Sequence, residues 1–317
     1  MSNCLRRASA RLFIHPLRMF GMVSKPVNLG LVQMKMAEEP AINLAHALEL
    51  VAEAAKKGAD MVCLPELFTS PYFAQVEKKS EEGKKAVKYA EQIPGTTSAA
   101  LSTAAKKNKI TLVAGSIYEK DAKSKKLYNT SLVFSPDGSL LGTYRKTHIP
   151  HDPNFYEQDY FEKGDTGFKV FDAPARSSAT AARISPLICY DQWFPEAARA
   201  CALMGAQIIF YPTAIGVPDG VEQVEGDWQQ AWENVMRGHA IANNIIVVAV
   251  NRAGREGEMN FWGGSFVCNA FGKTLARAGN DEEVLVVPVD LEHSKMVREG
   301  WRFFYNRRPE KYGKLVE

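Results

Sequence analysis

A chain of 317 residues, 46% hydrophobic and 24% charged, is long enough to bury a large core, as one large α/β domain or two modest ones. No apolar run approaches the roughly 20 residues that cross a bilayer as a helix, so no membrane partner is expected. The formal charge of +3 gathers in residues 1–24, where Arg6, Arg7, Arg11 and Arg18 meet no acid; the remainder is close to neutral and offers no nucleic-acid footprint.

Residues 1–24 read as a leader ahead of one folded domain spanning 25–317. Their arginines, with Leu5, Leu12, Phe13, Ile14, Leu17 and Phe20, suit a mitochondrial presequence. The plainer alternative is a leader without an address, since Met22 can itself begin the chain; a cytoplasmic protein is then expected. Cys4, Cys63, Cys189, Cys201 and Cys268 are scattered and form no CxxC pair, which speaks against a disulfide framework or a zinc site and for a reducing compartment.

Val27 to Met34 predicts a first strand. In residues 41–57 the recurrence of Leu44, Leu48, Val51 and Ala55 predicts a helix, closed by Gly58, and Asp60 to Leu64 a second strand. A helix over Ser98 to Lys107 follows, then strands over Ile110 to Tyr118, Tyr128 to Phe134 and Ser139 to Arg145, the last two joined by the turn Ser135-Pro136-Asp137-Gly138. In the second half a strand ends at Ile188. A helix covers Pro195 to Met204, a strand Gln207 to Tyr211, a longer helix Asp227 to Asn243, and a buried strand Ile245 to Val250. Strands near Gly263 to Asn269, Thr274 to Arg277 and Val284 to Val289 precede a last helix from Leu291. Residues 148–168, 173–182 and 214–227 read as loops.

Lys57-Gly58-Ala59-Asp60 with the apolar run to Pro65 is echoed by Met204-Gly205-Ala206-Gln207 with the run to Pro212. Both read as a helix end, a Gly-Ala turn, a strand and a proline. Two such halves predict two packed mixed sheets with helices outside, a four-layer α-β-β-α sandwich of the α/β class.

Cys189 follows an apolar strand and precedes a helix opened by Pro195 and Glu196. At such an elbow, backbone N–H groups and the positive helix end favour a thiolate, although a buried cysteine is more often a small apolar side chain. Glu66 ends an apolar strand, where partial desolvation suits a general base. Lys146 also ends a strand. Taken singly, a loop acid and a surface lysine are the commoner readings. Together the three fall at ends of separate β runs, where α/β folds collect their sites.

Leu64-Pro65-Glu66, Tyr144-Arg145-Lys146-Thr147-His148 and Ile188-Cys189-Tyr190-Asp191, in that order and spacing, resemble the nitrilase superfamily from about Lys25 onward. Tyr128-Asn129-Thr130 and Asn251-Arg252-Ala253-Gly254 support the match. The resemblance implies Glu66 as base, Cys189 as nucleophile in a covalent intermediate, and Lys146 with the Tyr190 N–H as oxyanion partners. It places Glu157 where the family often has a second glutamate, to orient substrate or assist proton transfer; a surface acid in a long loop is the alternative. Asp191 and Trp193 join Tyr190 and Glu157 as expected substrate-binding residues. No cofactor or metal is implied. The sequence departs from the family at Pro186, which removes a ladder donor just before Cys189.

The string Cys189 to Arg199, with Phe210 to Gly216 after it, is similar to the branch of the superfamily that cleaves N-carbamoylputrescine in polyamine synthesis, so a small carbamoylated amine is the expected partner. Related carbamoylases that hold a carboxylate have arginines where Gln192 and Trp193 stand here. Trp193 suits an ammonium over its face, with Glu157, Asp159 or Asp219 as counter-charge. Alternatives are a β-ureidopropionase, aliphatic amidase or nitrilase activity, or a non-catalytic nitrilase-like subunit. His148 and His151-Asp152 suggest a metal but lack a third ligand, and no nucleotide-binding glycine motif occurs. The aromatic, basic tail from Trp301 to Pro309 is expected to pack across a subunit interface in a homo-oligomer built from dimers.

Overall fold

The computed structural model describes residues 25–177 and 181–317. The expected leader 1–24, and 178–180 within the expected connection 173–182, lie outside the described residues.

Alternation along the strands builds the layers. In order come β1 (Val27–Gln33), α1 (Pro40–Lys56), β2 (Met61–Cys63), α2 (Glu81–Lys85), α3 (Thr96–Asn108), β3 (Thr111–Val113), β4 (Ile117–Lys120), β5 (Leu127–Phe134) and β6 (Leu140–Arg145). The second half adds β7 (Phe171–Ala173), β8 (Ala182–Pro186), α4 (Pro195–Leu203), β9 (Ile208–Pro212), β10 (Gly216–Pro218), α5 (Trp228–Asn243) and β11 (Ile246–Val250). It closes with β12 (Ala253–Glu256), β13 (Met259–Trp262), β14 (Phe266–Cys268), β15 (Thr274–Arg277), β16 (Glu283–Val289) and α6 (Leu291–Trp301). One sheet runs β16-β1-β2-β3-β5-β4 with β6 on β5; the other runs β15-β14-β11-β9-β8-β7.

Strand side chains point alternately to opposite faces. Leu29 and Leu31 of β1 therefore meet Ile208 and Phe210 of β9 and Ile246, Val248 and Val250 of β11 between the sheets. Val32 faces outward, onto Ala47, Val51 and Ala54 of α1 and Leu101 of α3. On the far side, Ile209, Tyr211, Val247 and Ala249 pack against Ala197 and Cys201 of α4 and Trp232, Met236 and Ala240 of α5. Three apolar interfaces thus separate four layers, the α-β-β-α sandwich expected.

The single strand expected over Ile110 to Tyr118 is two. Gly115, at φ +43°, breaks it, because a Cβ there would lie 1.9 Å from the Pro65 carbonyl oxygen. Both pieces pair antiparallel with β5. The expectation also missed the small sheet β10-β13-β12. Its strands are three or four residues long and carry Arg255, Glu256 and Asn260, too short and polar to show an alternating apolar pattern.

Pro186 does not disturb its strand. It pairs in register with Phe210 of β9, and the next N–H, that of Leu187, donates to the Phe210 carbonyl at 2.8 Å. Donors alternate in direction along a strand. The missing Pro186 N–H would face the other edge, where β7 pairs only with Ala182 to Ile184. The tail packs Phe304 beneath the guanidiniums of Arg199 and Arg298, while Trp301 and Tyr305 stay exposed.

Candidate active site

Glu66, Lys146 and Cys189 follow β2, β6 and β8 and come together at the same edge of the sandwich. Glu66 and Lys146 are fully buried and Cys189 is 7% exposed. Lys146 Nζ donates to Glu66 Oε1 at 2.8 Å and to Glu157 Oε2 at 2.6 Å. Asn129 Nδ2 also donates to Glu66 Oε1, at 2.8 Å, and the Tyr72 hydroxyl donates to Glu157 Oε1 at 2.8 Å. Glu66 Oε2 has no partner among the described residues. Just before Lys146, Arg145 clamps the end of β6 by ion pairs to Glu119 at 2.6 Å and Asp165 at 2.9 Å.

Cys189 opens a 3-10 turn, Cys189–Trp193, at φ +42°, a region that non-glycine residues seldom occupy. The elbow is held open by Asp191. Its Oδ2 accepts from the Ile188 N–H at 2.9 Å and the Tyr144 hydroxyl at 2.7 Å; its Oδ1 accepts from the His148 N–H at 3.0 Å and meets His148 Nδ1 at 2.7 Å. Asp191 was expected to touch substrate. It is instead fully buried with both oxygens occupied, because the backbone turn needs its carboxylate as a tie.

Burial dominates the electrostatics. It pushes the Cys189 thiol well above its ordinary value; the Glu66 carboxylate adds to the rise and the Lys146 ammonium opposes it. Desolvation thus works against the thiolate that the elbow's N–H groups and the positive end of α4, beginning at Pro195, favour. Burial also works against the Lys146 ammonium, but the carboxylates of Glu157 and Glu66 outweigh it and hold the group charged. Glu157 is raised by burial to about 7, against the pull of Lys146. A neutral thiol, a carboxylate with one unengaged oxygen and a locked ammonium form a set able to take a proton from sulfur and hold a developing anion.

Above Cys189 opens a cavity of about 560 Å³. Tyr190, Trp193 and Glu157 line it, as do Asp152, Glu225, Trp228 and Gln192. Asp159 and Asp219 do not: Asp159 accepts from the Lys78 N–H at 3.2 Å, and Asp219 pairs with Arg255. His148 is tied to Asp191 and stacks on Phe194 at 3.7 Å. Among the described residues no group of three or more His, Cys, Asp or Glu is placed to hold a metal ion.

Tyr72, Glu225 and Glu256 carry no signal in the sequence, and Asp152, which beside His151 suggests a metal, instead lines the cavity. Asn129 and Arg252 show in the sequence only as members of Tyr128-Asn129-Thr130 and Asn251-Arg252-Ala253-Gly254.

Two packed sheets, with a thiol, a buried lysine and two glutamates gathered at one edge, define a hydrolase acting on amides. The chain belongs to the carbon-nitrogen hydrolase family, whose pattern matches residues 28–299, and so to the nitrilase superfamily. It is 38% identical over 300 residues to an N-carbamoylputrescine amidase of Solanum lycopersicum, covering 92% of this chain and 95% of that protein. It is 35% identical over 296 residues to a citrullinase of Francisella tularensis, covering 92% and 98%. A crystal structure of a carbon-nitrogen hydrolase from Helicobacter pylori is similar with a TM-score of 0.84 at 37% identity, covering 92% of this chain and 98% of that one.

Proposed function

We propose that the chain hydrolyses N-carbamoylputrescine to putrescine, ammonia and carbon dioxide, with Cys189 as nucleophile, Glu66 as general base and Lys146 as oxyanion partner. Glu66 Oε1 is engaged by Lys146 and Asn129, which leaves Oε2 to take the thiol proton. The sulfur bonds to the carbamoyl carbon, and the carbonyl electron pair moves to oxygen, held by Lys146 Nζ and the Tyr190 N–H. Glu66 returns its proton to the departing nitrogen as the C–N bond breaks. Water then loses a proton to Glu66, attacks the S-thiocarbamate and displaces the sulfur, which recovers that proton; the carbamic acid released breaks its remaining C–N bond to give carbon dioxide and the second amine. Glu157, held by Lys146 and Tyr72, orients the substrate nitrogen beside this exchange.

The observation that carries the substrate is the cavity wall. Pro150, Pro153, Phe155, Ile215 and Pro218 give it apolar surface; among the described residues its charged members are Asp152, Glu157 and Glu225, with no Lys, Arg or His. Such a wall attracts a terminal ammonium, with Trp193 and Trp228 offering ring faces. Glu157 is committed to Lys146, so Asp152 and Glu225 take the counter-charge role expected of Glu157, Asp159 or Asp219. Citrulline carries the same ureido chain with a carboxylate added, which these acids repel. The citrullinase relative makes it the reading to compete against.

Ammonia release is measured on N-carbamoylputrescine, citrulline, N-carbamoyl-β-alanine and a simple aliphatic amide, with Cys189→Ala as control. The expected result is preference for N-carbamoylputrescine, abolished in the control. Turnover of citrulline alone keeps the chemistry and overturns the substrate; turnover by Cys189→Ala overturns the chemistry.

A further inference from the structure

Arg252 is among the largest fully buried side chains of the protein, and it stands outside the group that meets substrate. Its Nη2 donates to the carbonyl of Glu66 at 2.6 Å and of Leu67 at 3.1 Å, and its Nη1 donates to the carbonyl of Ser70 at 3.3 Å. Nη1 also reaches both carboxylate oxygens of Glu256 at 2.8 Å. Glu256 Oε2 in turn accepts from the Tyr72 N–H at 2.7 Å, and the hydroxyl of Tyr72 holds Glu157. Arg252 and Glu256 flank and end β12 in the second half of the chain; apart from the bonds between them, their side-chain hydrogen bonds reach residues 66–72 of the first.

That segment needs such a grip. Leu67 sits at φ +48°, and the turn it makes brings the carbonyl oxygens of Glu66, Leu67 and Ser70 to a single cation. Converging carbonyl dipoles repel unless a buried donor joins them, and a guanidinium supplies several fixed donors at once. The Leu67 N–H is tied separately to Ser116 Oγ at 3.0 Å, and the Glu66 N–H is only loosely held, by Thr213 at 3.4 Å. The Arg252 bond at 2.6 Å is therefore the tightest hold on the backbone of Glu66.

We infer that Arg252, braced by Glu256, is a positioning residue that fixes the aim of Glu66 at Cys189 and, through Tyr72, the seat of Glu157. The inference rests on the proposed role of Glu66 as base. It assigns Arg252 no contact with substrate. A rigid strut across the two halves keeps the base in line with the sulfur, and misplacement by about 1 Å is enough to slow a positioned reaction by about 100-fold.

The test compares the full chain with Arg252→Lys, Arg252→Met and Glu66→Gln, with Leu101→Ala as a control for loss of stability in a distant layer. Each is read by thermal midpoint, by kcat and KM on whichever amide the wild type turns over, and by the pH midpoint of Cys189 alkylation with iodoacetamide. Expected is a kcat that falls about 100-fold in Arg252→Met and about 10-fold in Arg252→Lys, with KM within about twofold. The alkylation midpoint moves to lower pH, because the Glu66 carboxylate no longer bears on the thiol. Where Arg252→Met does not fold, Arg252→Lys carries the same comparison. Wild-type kcat and alkylation profile in a folded Arg252 variant, with only the thermal midpoint lowered as in Leu101→Ala, would overturn the inference. Full activity in Glu66→Gln would instead sink the base assignment beneath it, and the two failures are told apart by that variant alone.

Discussion

At Glu157 burial and a neighbouring ammonium pull in opposite directions, and burial prevails. Its carboxyl rises from an ordinary 4.5 to about 7, so the folded protein binds this proton more tightly than the unfolded chain does. The sign follows from linkage: the stability this proton contributes is fully present below about pH 4.5 and is lost as pH rises through about 7. Ionised, Glu157 holds the Lys146 ammonium in place; protonated, it loosens that hold. The acid limb of kcat/KM is therefore expected to carry an ionisation near 7. In Glu157→Gln that ionisation disappears and kcat falls about 10- to 100-fold, while the loss of stability between pH 4.5 and 7 flattens. Urea midpoints and pH–rate profiles of the two proteins check both; an unchanged limb near 7 would assign it elsewhere. The residues of this cluster differ in how far they show in the sequence. Glu66, Lys146 and Cys189 are legible because each ends an apolar run within a recognisable motif. Glu157 is legible only by its place in a loop. Asp152 shows only beside His151, in a pairing that suggests a metal, and Glu225 does not show at all, since two loops distant in the chain become one wall only when the sheets pack.

Regular elements announce themselves where apolar periodicity is long, as in α1, β1, α5 and β11, whose expected limits lie within a residue or two of those observed. They stay hidden where backbone geometry decides. Gly115 is such a place: it splits β3 from β4 and lets the Pro65 carbonyl pass, which sets the course of the chain immediately before Glu66. An alanine there meets an unfavourable φ and a carbonyl at 1.9 Å, so the 64–66 segment must move. Gly115→Ala is expected to lower stability by about 1–3 kcal/mol and to reduce kcat far more than KM, because the displaced segment carries the base. Gly58→Ala is the comparison. It also sits at positive φ, +99°, but with nothing within 4 Å of the added carbon, and it should lose stability while keeping kcat. Steady-state kinetics beside thermal melts decide it; equal kinetics in both variants would remove the link between β3–β4 geometry and Glu66. Pro186 teaches the converse. Its composition argued against a strand, yet only the partnerless edge of β8 loses a donor, a fact of topology that no single strand's sequence carries.

Across the whole molecule the active cluster is divided. Glu66, Tyr72, Asn129, Lys146 and Glu157 come from the half built on β1 to β6; Cys189, Arg252 and Glu256 come from the half built on β7 to β15. The distance between base and sulfur is therefore set by how the two sheets pack, and the apolar layer between them bears on chemistry as well as stability. The echoed segments make the link direct, for the Glu66 N–H reaches across to the Thr213 carbonyl at 3.4 Å, one residue beyond the Pro212 that ends β9. The outer layer of α5 is also tied to the site, through Trp232 Nε1 to Gln192 Oε1 at 2.9 Å and His239 Nε2 to the Gln192 carbonyl at 2.8 Å, whereas Leu101 lies in the opposite outer layer. Phe210→Ala, in β9 between the sheets, is expected to cost about 3–5 kcal/mol, and Leu101→Ala, on the buried face of α3 in an outer layer, about 2–5 kcal/mol. With stability loss so similar, activity per folded molecule separates them. Collapse around a Phe210 cavity shifts one sheet against the other and lowers kcat, whereas a cavity under α3 leaves both sheets and the cluster in register. Chemical denaturation gives the folded fraction and single-turnover rates give the chemistry. A normal rate in Phe210→Ala would mean that the Arg252–Glu256 strut, rather than the inter-sheet layer, holds the two halves of the site in line.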